Sequence, residues 1–441
     1  MTDYYYVEHT KNGVPQEWKD SIKDVKEFLQ KNWECRKAFY EDEEGADSLQ
    51  GEQKYLTFLD DGIRSNNYVG TVIFNGARIN IFPKVFGKKE KDLKQEDESI
   101  LAKNLCRWIT YCNKSDYPFL KIASEVKEND SLLELFVALY VKTLRKAFER
   151  SPFFQYEERE EDCFVIKGRF DTRDYFLSKL PNGALDRFHC RFSEFNFDNK
   201  LNRTIKYVCK RMFLVVKNGN NKKVLHDLLF KLEDVTDEIC TPYDCEKIHL
   251  SKSYRHYEDV LTISKIFLLN SFGSTNPAEM QSFCFLFPME KLFEGFMAGF
   301  MTEHYGKAIC PQCEKKLFAD EDCLIKIKPD LLYESGSNKI VLDTKYKLLD
   351  KSNATPSNSD IYQILIYAEK YGTSKAYLLY PKCRNDEKET DEVKHYCPAE
   401  HGRKVNLHVV KLPFIYEGDE EQADKKLKDA ISNIFESETV I

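Results

Sequence analysis

Residues 324–346 read LIKIKPDLLYESGSNKIVLDTKY, and this stretch decides the fold of the C-terminal region. An apolar run over Leu324–Tyr333 and a second one after the turn-rich sequence ESGSN predict the two strands of a β-hairpin. Because side chains alternate along a strand, Asp343 and Lys345 project from the same face. If the register brings Asp330 opposite, two carboxylates and an ammonium group converge at the end of the hairpin.

The convergence of Asp330 and Asp343 predicts a magnesium site, since Mg²⁺ takes a few carboxylate oxygens from proteins and fills its other positions with water and phosphate. A metal held there lowers the pKa of a bound water and polarises a phosphodiester. Lys345 would stabilise the developing charge or help to deprotonate the water, and Glu294, on a preceding helix, is a further candidate ligand. The alternative is an ordinary surface charge pair. The apolar run before Asp343 favours the metal site, because a charge at the end of a buried strand needs a counter-charge.

Elements on both sides of the hairpin complete an α/β unit. A helix with an apolar stripe begins at about Pro288, and a helix over Asp360–Tyr371 and a strand over Ala376–Tyr380 follow the hairpin. The order helix, strand, strand, helix, strand predicts an α/β domain. Gln363 and Tyr367 share one face of the second helix at i and i+4. Ordinary core packing is the alternative role for Tyr367.

The sequence Cys310-Pro-Gln-Cys313 is a candidate pair of zinc ligands, with Cys323 and His304 nearby as possible companions. Zinc sites usually combine two well-spaced ligand pairs, and a second Cys-x-x-Cys is missing. Free thiols are therefore the favoured interpretation of Cys310 and Cys313, and structural zinc is the alternative.

The rest of the chain predicts two further regions. Short β-type runs occupy residues 1–93, and Asn75-Gly76 separates two of them in the manner of a hairpin turn. Helical periodicity dominates the region that follows. We therefore predict an α+β multidomain protein with a β-rich N-terminal domain, a mainly helical middle region and a C-terminal α/β domain, with boundaries at 1–93, 94–270 and 271–441.

A basic stretch lies in the middle region. Residues 200–223 hold eight Lys and Arg and no Asp or Glu, in a chain of net charge −7. Arg203, Lys206 and Lys210 fall on one helix face, so a stripe that follows DNA phosphates is conceivable. A solvated helix face, or a docking surface for an acidic partner, is the somewhat favoured alternative.

The overall composition excludes several classes of protein. With 441 residues, 42% hydrophobic and 32% charged, the chain is neither disordered nor fibrous. Its negative net charge excludes a general cationic coat for DNA or membranes. The N-terminus lacks a signal peptide, and charged residues interrupt the most apolar stretch, 283–301. We expect a cytoplasmic protein without a membrane span, whose fourteen cysteines are reduced.

Several motifs resemble known nucleases. The pattern Pro-Asp…Asp-x-Lys over Pro329–Lys345 resembles the PD-(D/E)xK motif of restriction-endonuclease-like proteins. Gln363-x-x-x-Tyr367 resembles an element of RecB-like nucleases whose side chains approach the metal and the DNA backbone. Together with three further segments, the chain from about residue 60 to 372 resembles McrC, the nuclease subunit family of McrBC modification-dependent (5-methylcytosine) restriction systems; the segments are Tyr68–Ile73 with Ile81–Lys84, Phe188–Arg203 and Leu286–Phe296.

The resemblance to McrC implies a metal-dependent endodeoxyribonuclease that cuts double-stranded DNA carrying modified cytosine. It implies a ring-forming, McrB-like AAA+ GTPase as partner. The N-terminal domain 1–93 and the middle region 94–270 would bind this ring, and the chain would stimulate its NTP hydrolysis. The C-terminal domain would cut with Mg²⁺. The family's catalytic residues map onto Asp330, Asp343 and Lys345, and by motif position onto Glu294 and Gln363. GTP would belong to the partner, since this sequence has no Gly-x-x-x-x-Gly-Lys-(Ser/Thr) P-loop.

Two other functions stay open from the sequence. In the first, the chain is a non-catalytic scaffold that activates an AAA+ motor. In the second, it is a self-sufficient RecB-like repair nuclease. The intact set Asp330, Asp343 and Lys345 favours catalysis over a scaffold. The long region before the nuclease motif disfavours the self-sufficient nuclease.

Overall fold

The computed structural model describes residues 2–40, 52–89, 92–112, 132–272, 282–316, 326–336, 338–349, 355–386, 391–396 and 405–436. The architecture is mixed α and β, as predicted. The chain divides into two compact units, of which the first comprises 1–34, 50–135 and 273–441 and the second comprises 35–49 and 136–272. This division places the N-terminal strands and the C-terminal region in one unit. The functional domains predicted at 1–93, 94–270 and 271–441 stay predictions.

The longer helices of the described chain are Ile22–Tyr40, Gln95–Cys112, Leu132–Arg150, Lys200–Val215, Gly219–Lys231, Glu258–Asn270, Met289–Tyr305, Asn358–Tyr371 and Glu420–Glu436. The longer strands are Thr2–Val7, Leu56–Leu59, Gly62–Ser65, Tyr68–Phe74, Ala77–Phe82, Gln155–Cys163, Phe188–Asn196, Phe283–Pro288, Leu331–Ser335, Asn338–Thr344, Lys375–Pro381, Asp391–Tyr396 and Asn406–Leu412.

One sheet of the first unit joins distant parts of the sequence. The strand Thr2–Val7 runs parallel to Ala77–Phe82, which forms a hairpin with Tyr68–Phe74. Asn75 and Gly76 form its turn at φ of 45° and 82°, values that Asn and Gly tolerate best, so the predicted hairpin is confirmed. The strand Phe283–Pro288 pairs antiparallel with Tyr68–Phe74 and leads directly into the helix Met289–Tyr305.

A second sheet of this unit carries the predicted hairpin. Its strands lie in the order Ile309–Pro311, Leu331–Ser335, Asn338–Thr344, Lys375–Pro381, Asn406–Leu412 and Asp391–Tyr396. The two strands of the hairpin, Leu331–Ser335 and Asn338–Thr344, are antiparallel, and Lys375–Pro381 runs parallel to the second one. We call this pair of strands the acidic hairpin.

The acidic hairpin is shorter than predicted on its first strand. The expected strand over Leu324–Tyr333 is interrupted before Leu331, and the short strand Lys326–Ile327 pairs elsewhere, with Lys315–Lys316. Pro329 lies in the interruption, and proline has no N–H to donate to a ladder. Asp330 is therefore the last residue before the strand begins.

The helix Asn358–Tyr371 packs its apolar side on the second sheet. Ile364 and Ala368 are fully buried in one cluster with Val341 and Leu378 from the central strands. The Ser357 side chain accepts a hydrogen bond from the Asp360 N–H and caps the helix, while Gly372 ends it in the left-handed conformation. Because Ile364 and Ala368 are buried at i and i+4, Gln363 and Tyr367 lie one position around the helix, toward the ends of the strands.

The second unit contains a long β-structure that the sequence did not predict. Gln155–Cys163 and Phe188–Asn196 form an antiparallel pair of nine residues each, within the region predicted to be mainly helical. Most side chains of the first strand are exposed on both faces, so its sequence lacks the alternation that predicts a strand. In the described part of the chain, no helix combines the length and apolarity needed to cross a membrane.

Candidate active site

The acidic hairpin brings its two aspartates to the same end. Leu331 pairs with Leu342, so the next residues outward, Asp330 and Asp343, face each other across the hairpin. This is the register that the sequence analysis required for two converging carboxylates.

Thr344 holds Asp330 in place. Oδ2 of Asp330 accepts hydrogen bonds from the Thr344 backbone N–H and from its hydroxyl, both at 2.6 Å. These bonds tie the start of one strand to the end of the other and leave Oδ1 of Asp330 available. Sequence analysis missed Thr344, although its position between Asp343 and Lys345 is a signal that could have pointed to it.

Asp343 is almost completely buried, at 1% exposure. Burial, followed by repulsion from Asp330, raises the pKa of Asp343 to about 7 despite the nearby Lys345. Its Oδ2 lies 2.5 Å from the Lys345 Nζ but accepts no hydrogen bond of good geometry within the described structure. A buried carboxylate oxygen in this state is a natural ligand for a cation, so the residues present fit a metal ion.

Lys345 connects the aspartates to the helix Asn358–Tyr371. Its Nζ donates to the Gln363 side-chain oxygen at 3.1 Å, and the Gln363 amide donates to the Tyr367 hydroxyl at 2.8 Å. Burial alone would lower the pKa of Lys345, but Asp343 outweighs it and the pKa lies above its ordinary value. The ammonium group therefore stays charged. The Tyr367 ring is buried in the core cluster, and its hydroxyl accepts the hydrogen bond from Gln363. Tyr367 therefore combines core packing with a polar contact at the site.

Glu294 approaches the site from the helix Met289–Tyr305. Burial first, and then the charge of Asp330, raises the pKa of Glu294 above its ordinary value. Gln312 links the two residues, since its side-chain amide donates to Glu294 at 2.8 Å and its backbone N–H donates to the Asp330 carbonyl at 2.9 Å. Gln312 has a φ of 50°, which is uncommon for a residue other than glycine. The sequence analysis did not single it out.

Cys310 and Cys313, which flank Gln312, form a disulfide. The expectation of free thiols is therefore wrong for this pair, and the zinc alternative stays a prediction. The sequence favoured thiols because spacing alone cannot show that the tight turn at Gln312 brings the two sulfurs together. The possible companion Cys323 lies outside the described residues.

A tighter set of potential metal ligands lies elsewhere. In the described ranges, Asp162, Asp174 and His189 are the one group of three whose ligand atoms all fall within 4.8 Å of one another. This group is at the surface, and Asp162 is engaged by Lys179 and by His189. The carboxylates of Glu294, Asp330 and Asp343 are spaced more widely, although Asp330 acts on the pKa of both others.

The basic helix face is occupied by acidic and carbonyl groups of the chain itself. Arg203 bonds to Asp198 and Lys210 to Asp237, each at 2.7 Å. Lys206 is buried and donates to the backbone carbonyls of Glu233 and Val235, which follow the helix Gly219–Lys231. These charges already have partners, so DNA contact by Arg203, Lys206 and Lys210 stays a prediction and carries no part of the function below.

Comparisons with known proteins agree with this fold. A chain in the half-complex of the tetradecameric assembly of Thermococcus gammatolerans McrB AAA+ hexamers with bound McrC is 19% identical, with a TM-score of 0.70 over 98% of this chain and 100% of that chain. A chain in the cryo-EM structure of the Thermococcus gammatolerans McrBC complex is 21% identical and covers 69% of this chain and 89% of that one, with a TM-score of 0.49. At 19% identity, the likeness to the first of these chains shows a shared fold. No curated protein matches the sequence.

The family model of McrBC 5-methylcytosine restriction system components matches residues 63–381, most of the chain. The chain therefore belongs to this family, which confirms the resemblance seen in the sequence.

Proposed function

We propose that this protein is the DNA-cleaving subunit of a modification-dependent restriction complex and hydrolyses phosphodiesters with Mg²⁺. One observation carries the proposal: a PD-(D/E)xK set, Asp330, Asp343 and Lys345, converges at one end of the acidic hairpin. Thr344 and Gln363 hold the charged groups of this set in defined positions. A cluster of this kind places like charges together in a buried site and so lowers the stability of the fold. A bound cation would offset that repulsion, which is why such clusters are typical of functional sites.

Each residue of the proposed site has a role that its contacts support. Asp330 and Asp343 would hold the metal, and Glu294 would add a ligand directly or through water. The bound Mg²⁺ would supply a water of lowered pKa and offset the charge of the scissile phosphate. Lys345 would stabilise the charge on the phosphate oxygens or help to deprotonate the attacking water. Gln363 orients the Lys345 ammonium, and Tyr367 orients Gln363.

The proposed partner is a McrB-like AAA+ GTPase ring that binds GTP, finds modified cytosine in double-stranded DNA and delivers the DNA. The structure with the same fold is described as McrB AAA+ hexamers with bound McrC. This chain has no P-loop of its own. Its second unit supports docking, since large apolar side chains are exposed between residues 155 and 196, namely Tyr156, Phe164, Val165, Ile166, Phe176, Leu177, Leu180, Leu185 and Phe195.

The cleavage half of the proposal is tested with matched lysine variants in the reconstituted complex. Lys345→Ala removes the proposed stabiliser, whereas Lys339→Ala removes a lysine that pairs with Glu334 at the other end of the acidic hairpin. We expect Lys345→Ala to lower the single-turnover rate of cutting methylated DNA by about a hundredfold or more. Lys339→Ala should cut at the wild-type rate. Equal rates for the two variants would remove Lys345 from the mechanism.

The same variants separate the three candidate functions. A nuclease subunit with Lys345→Ala should still stimulate the partner's GTPase, because the ring contacts are unchanged. A scaffold would show no cutting even as the wild type, and a self-sufficient nuclease would cut without the ring. Phe176→Ser should weaken GTPase stimulation, whereas Phe230→Ser, which alters an equally exposed residue outside the segment 155–196, should not.

A further inference from the structure

Lys345 stands just beyond the regular part of the acidic hairpin. The strand ends at Thr344, and the Lys345 N–H continues its pairing by one hydrogen bond to the Leu379 carbonyl at 2.8 Å. The Lys347 N–H then bonds back to the Lys345 carbonyl at 2.8 Å and turns the chain away. Strands on both sides therefore do not fix Lys345 as they fix Leu342, which pairs with Leu331 and with Tyr377. What holds its position must act through the residues on each side.

Tyr346, the next residue, is anchored by the N-terminal end of the chain. Its ring is buried at 3% exposure, and its hydroxyl donates to Oε2 of Glu8 at 2.7 Å. The same oxygen accepts the Lys84 backbone N–H at 3.0 Å, and the Lys84 Nζ lies 4.3 Å from the centre of the Tyr346 ring. Tyr346 thus lies between a carboxylate and a cation from the segments that follow two strands of the other sheet, Thr2–Val7 and Ala77–Phe82.

The backbone around Glu8 is itself tightly fixed. Glu8 follows the strand Thr2–Val7, and its N–H bonds to the Phe82 carbonyl at 3.0 Å. His9 adopts a φ of 61°, a left-handed conformation that costs about 1 kcal/mol or more for a residue other than glycine. The His9 N–H bonds to the Ser65 carbonyl at 2.8 Å, and its ring contacts Asn67. This strained turn keeps the Glu8 side chain buried and directed at Tyr346.

We infer that Glu8 and Tyr346 are positioning residues for the proposed cleavage reaction. Through the hydrogen bond between them, the N-terminal strand fixes the backbone next to Lys345 and so sets where its ammonium group lies. Thr344, bonded to Asp330, fixes the other side. The inference rests on the proposed function, since it assigns these residues a role at the same site. In the described part of the chain, neither residue forms a hydrogen bond with Asp330 or Asp343, the proposed metal ligands.

Tyr346→Phe keeps the buried ring and removes only the hydroxyl. For this variant we expect a specific pattern of effects. In the complex with its ring, the single-turnover cleavage rate at saturating enzyme should fall about tenfold, since small displacements of a catalytic group cost this much. The affinity of the chain for Mn²⁺ and of the complex for DNA should not change, because the metal ligands and the DNA surface are intact. A general loss of stability would not give this split.

Matched controls make the test decisive. Tyr305→Phe also removes a tyrosine hydroxyl that bonds within the first unit, to Ser432 at 2.9 Å, and it should cut at the wild-type rate. Glu8→Gln keeps an oxygen that accepts from Tyr346 and should retain most of the activity, whereas Glu8→Ala should lose as much as Tyr346→Phe. Thermal melting of each variant shows whether it is folded.

The outcomes separate this inference from the proposed function. If Lys345→Ala is inactive and Tyr346→Phe cuts as fast as Tyr305→Phe, the inference is wrong and the proposed function stands. If Tyr346→Phe weakens Mn²⁺ binding as much as it slows cutting, the residue acts on the metal ligands and the inference is also wrong. If Lys345→Ala cuts at the wild-type rate, Lys345 has no role in cleavage and the inference fails, while the chain is still a nuclease. If the wild-type complex does not cut, the proposed function fails.

Discussion

Asp330 accepts both the backbone N–H and the hydroxyl of Thr344, fourteen residues away in sequence, through a single carboxylate oxygen. The two bonds orient the carboxylate, and within the described residues its other oxygen accepts no hydrogen bond and can bind a cation. In metal sites, partners of this kind hold the ligands and tune their affinity. Thr344 therefore belongs to the candidate site as much as the charged residues beside it.

Thr344→Val tests this role, because valine has the shape of threonine but lacks the hydroxyl. We expect Mn²⁺ to bind the full chain about tenfold more weakly by isothermal titration calorimetry. Thr302→Val is the matched control, since the Thr302 hydroxyl bonds to the Ala298 carbonyl within the helix Met289–Tyr305. An unchanged affinity in Thr344→Val would show that the backbone bond alone orients Asp330.

Gln363 is predicted to act on the rate of cleavage and not on metal binding. Gln363→Ala removes the acceptor that lies 3.1 Å from the Lys345 Nζ, so the ammonium group keeps Asp343 but loses this contact. We expect the single-turnover rate to fall about tenfold with unchanged Mn²⁺ affinity. Tyr367→Phe should have a smaller effect, because the ring still packs and only the support of Gln363 is lost. A larger loss in Tyr367→Phe than in Gln363→Ala would reverse this order of roles.

Metal binding should depend on pH through Asp343. Its pKa of about 7 means that it holds a proton in mildly acid solution, and the metal must displace that proton. The Mn²⁺ affinity should therefore rise with pH, by at most about tenfold per pH unit, and level off above about pH 7. Calorimetry in buffers of different ionisation enthalpy should detect the released proton. The profile should be the same in Asp162→Asn, and a flat profile in the wild type would contradict the assignment.

Glu8 gives a second pH dependence, in stability. Burial raises the pKa of Glu8 to about 7 from 4.5. The folded state therefore holds the proton more tightly than the unfolded state, and the wild type loses stability as pH rises between these values. The free energy of unfolding of Glu8→Gln relative to wild type should increase over that range by up to roughly 3 kcal/mol. Glu17 has a lowered pKa, with the hydrogen bond from the Thr2 side chain as the largest cause, so Glu17→Gln should give a small change of opposite sign.

The acidic hairpin and the helix that follows it were predictable because their signals are local. Alternating side chains, the turn sequence ESGSN and the apolar spacing of 358–371 act over a few residues. They placed Asp330 and Asp343 at the same end of the hairpin, whereas the nearness of Gln363 to this end rested on the resemblance to RecB-like nucleases. Pro329 moved one strand boundary, because a local break in the ladder overrides an apolar run.

The supports of the site were not predictable for the opposite reason. The bond between Tyr346 and Glu8 joins residues 338 positions apart, and no periodicity in the sequence encodes such a pair. Gln312 depends on a backbone of positive φ that its residue type does not signal. The strands Gln155–Cys163 and Phe188–Asn196 were missed because exposure on both faces removes the hydrophobic alternation.

The location of a bound Mn²⁺ ion tests the central claim most directly. Crystals of the full chain grown or soaked in MnCl₂ should show an anomalous scattering peak at the end of the acidic hairpin, at a coordination distance of about 2.1 Å from carboxylate oxygens of Asp330 and Asp343. The peak should be absent from Asp343→Asn crystals treated in the same way. A peak at Asp162, Asp174 and His189, with none between Asp330 and Asp343, would contradict the account.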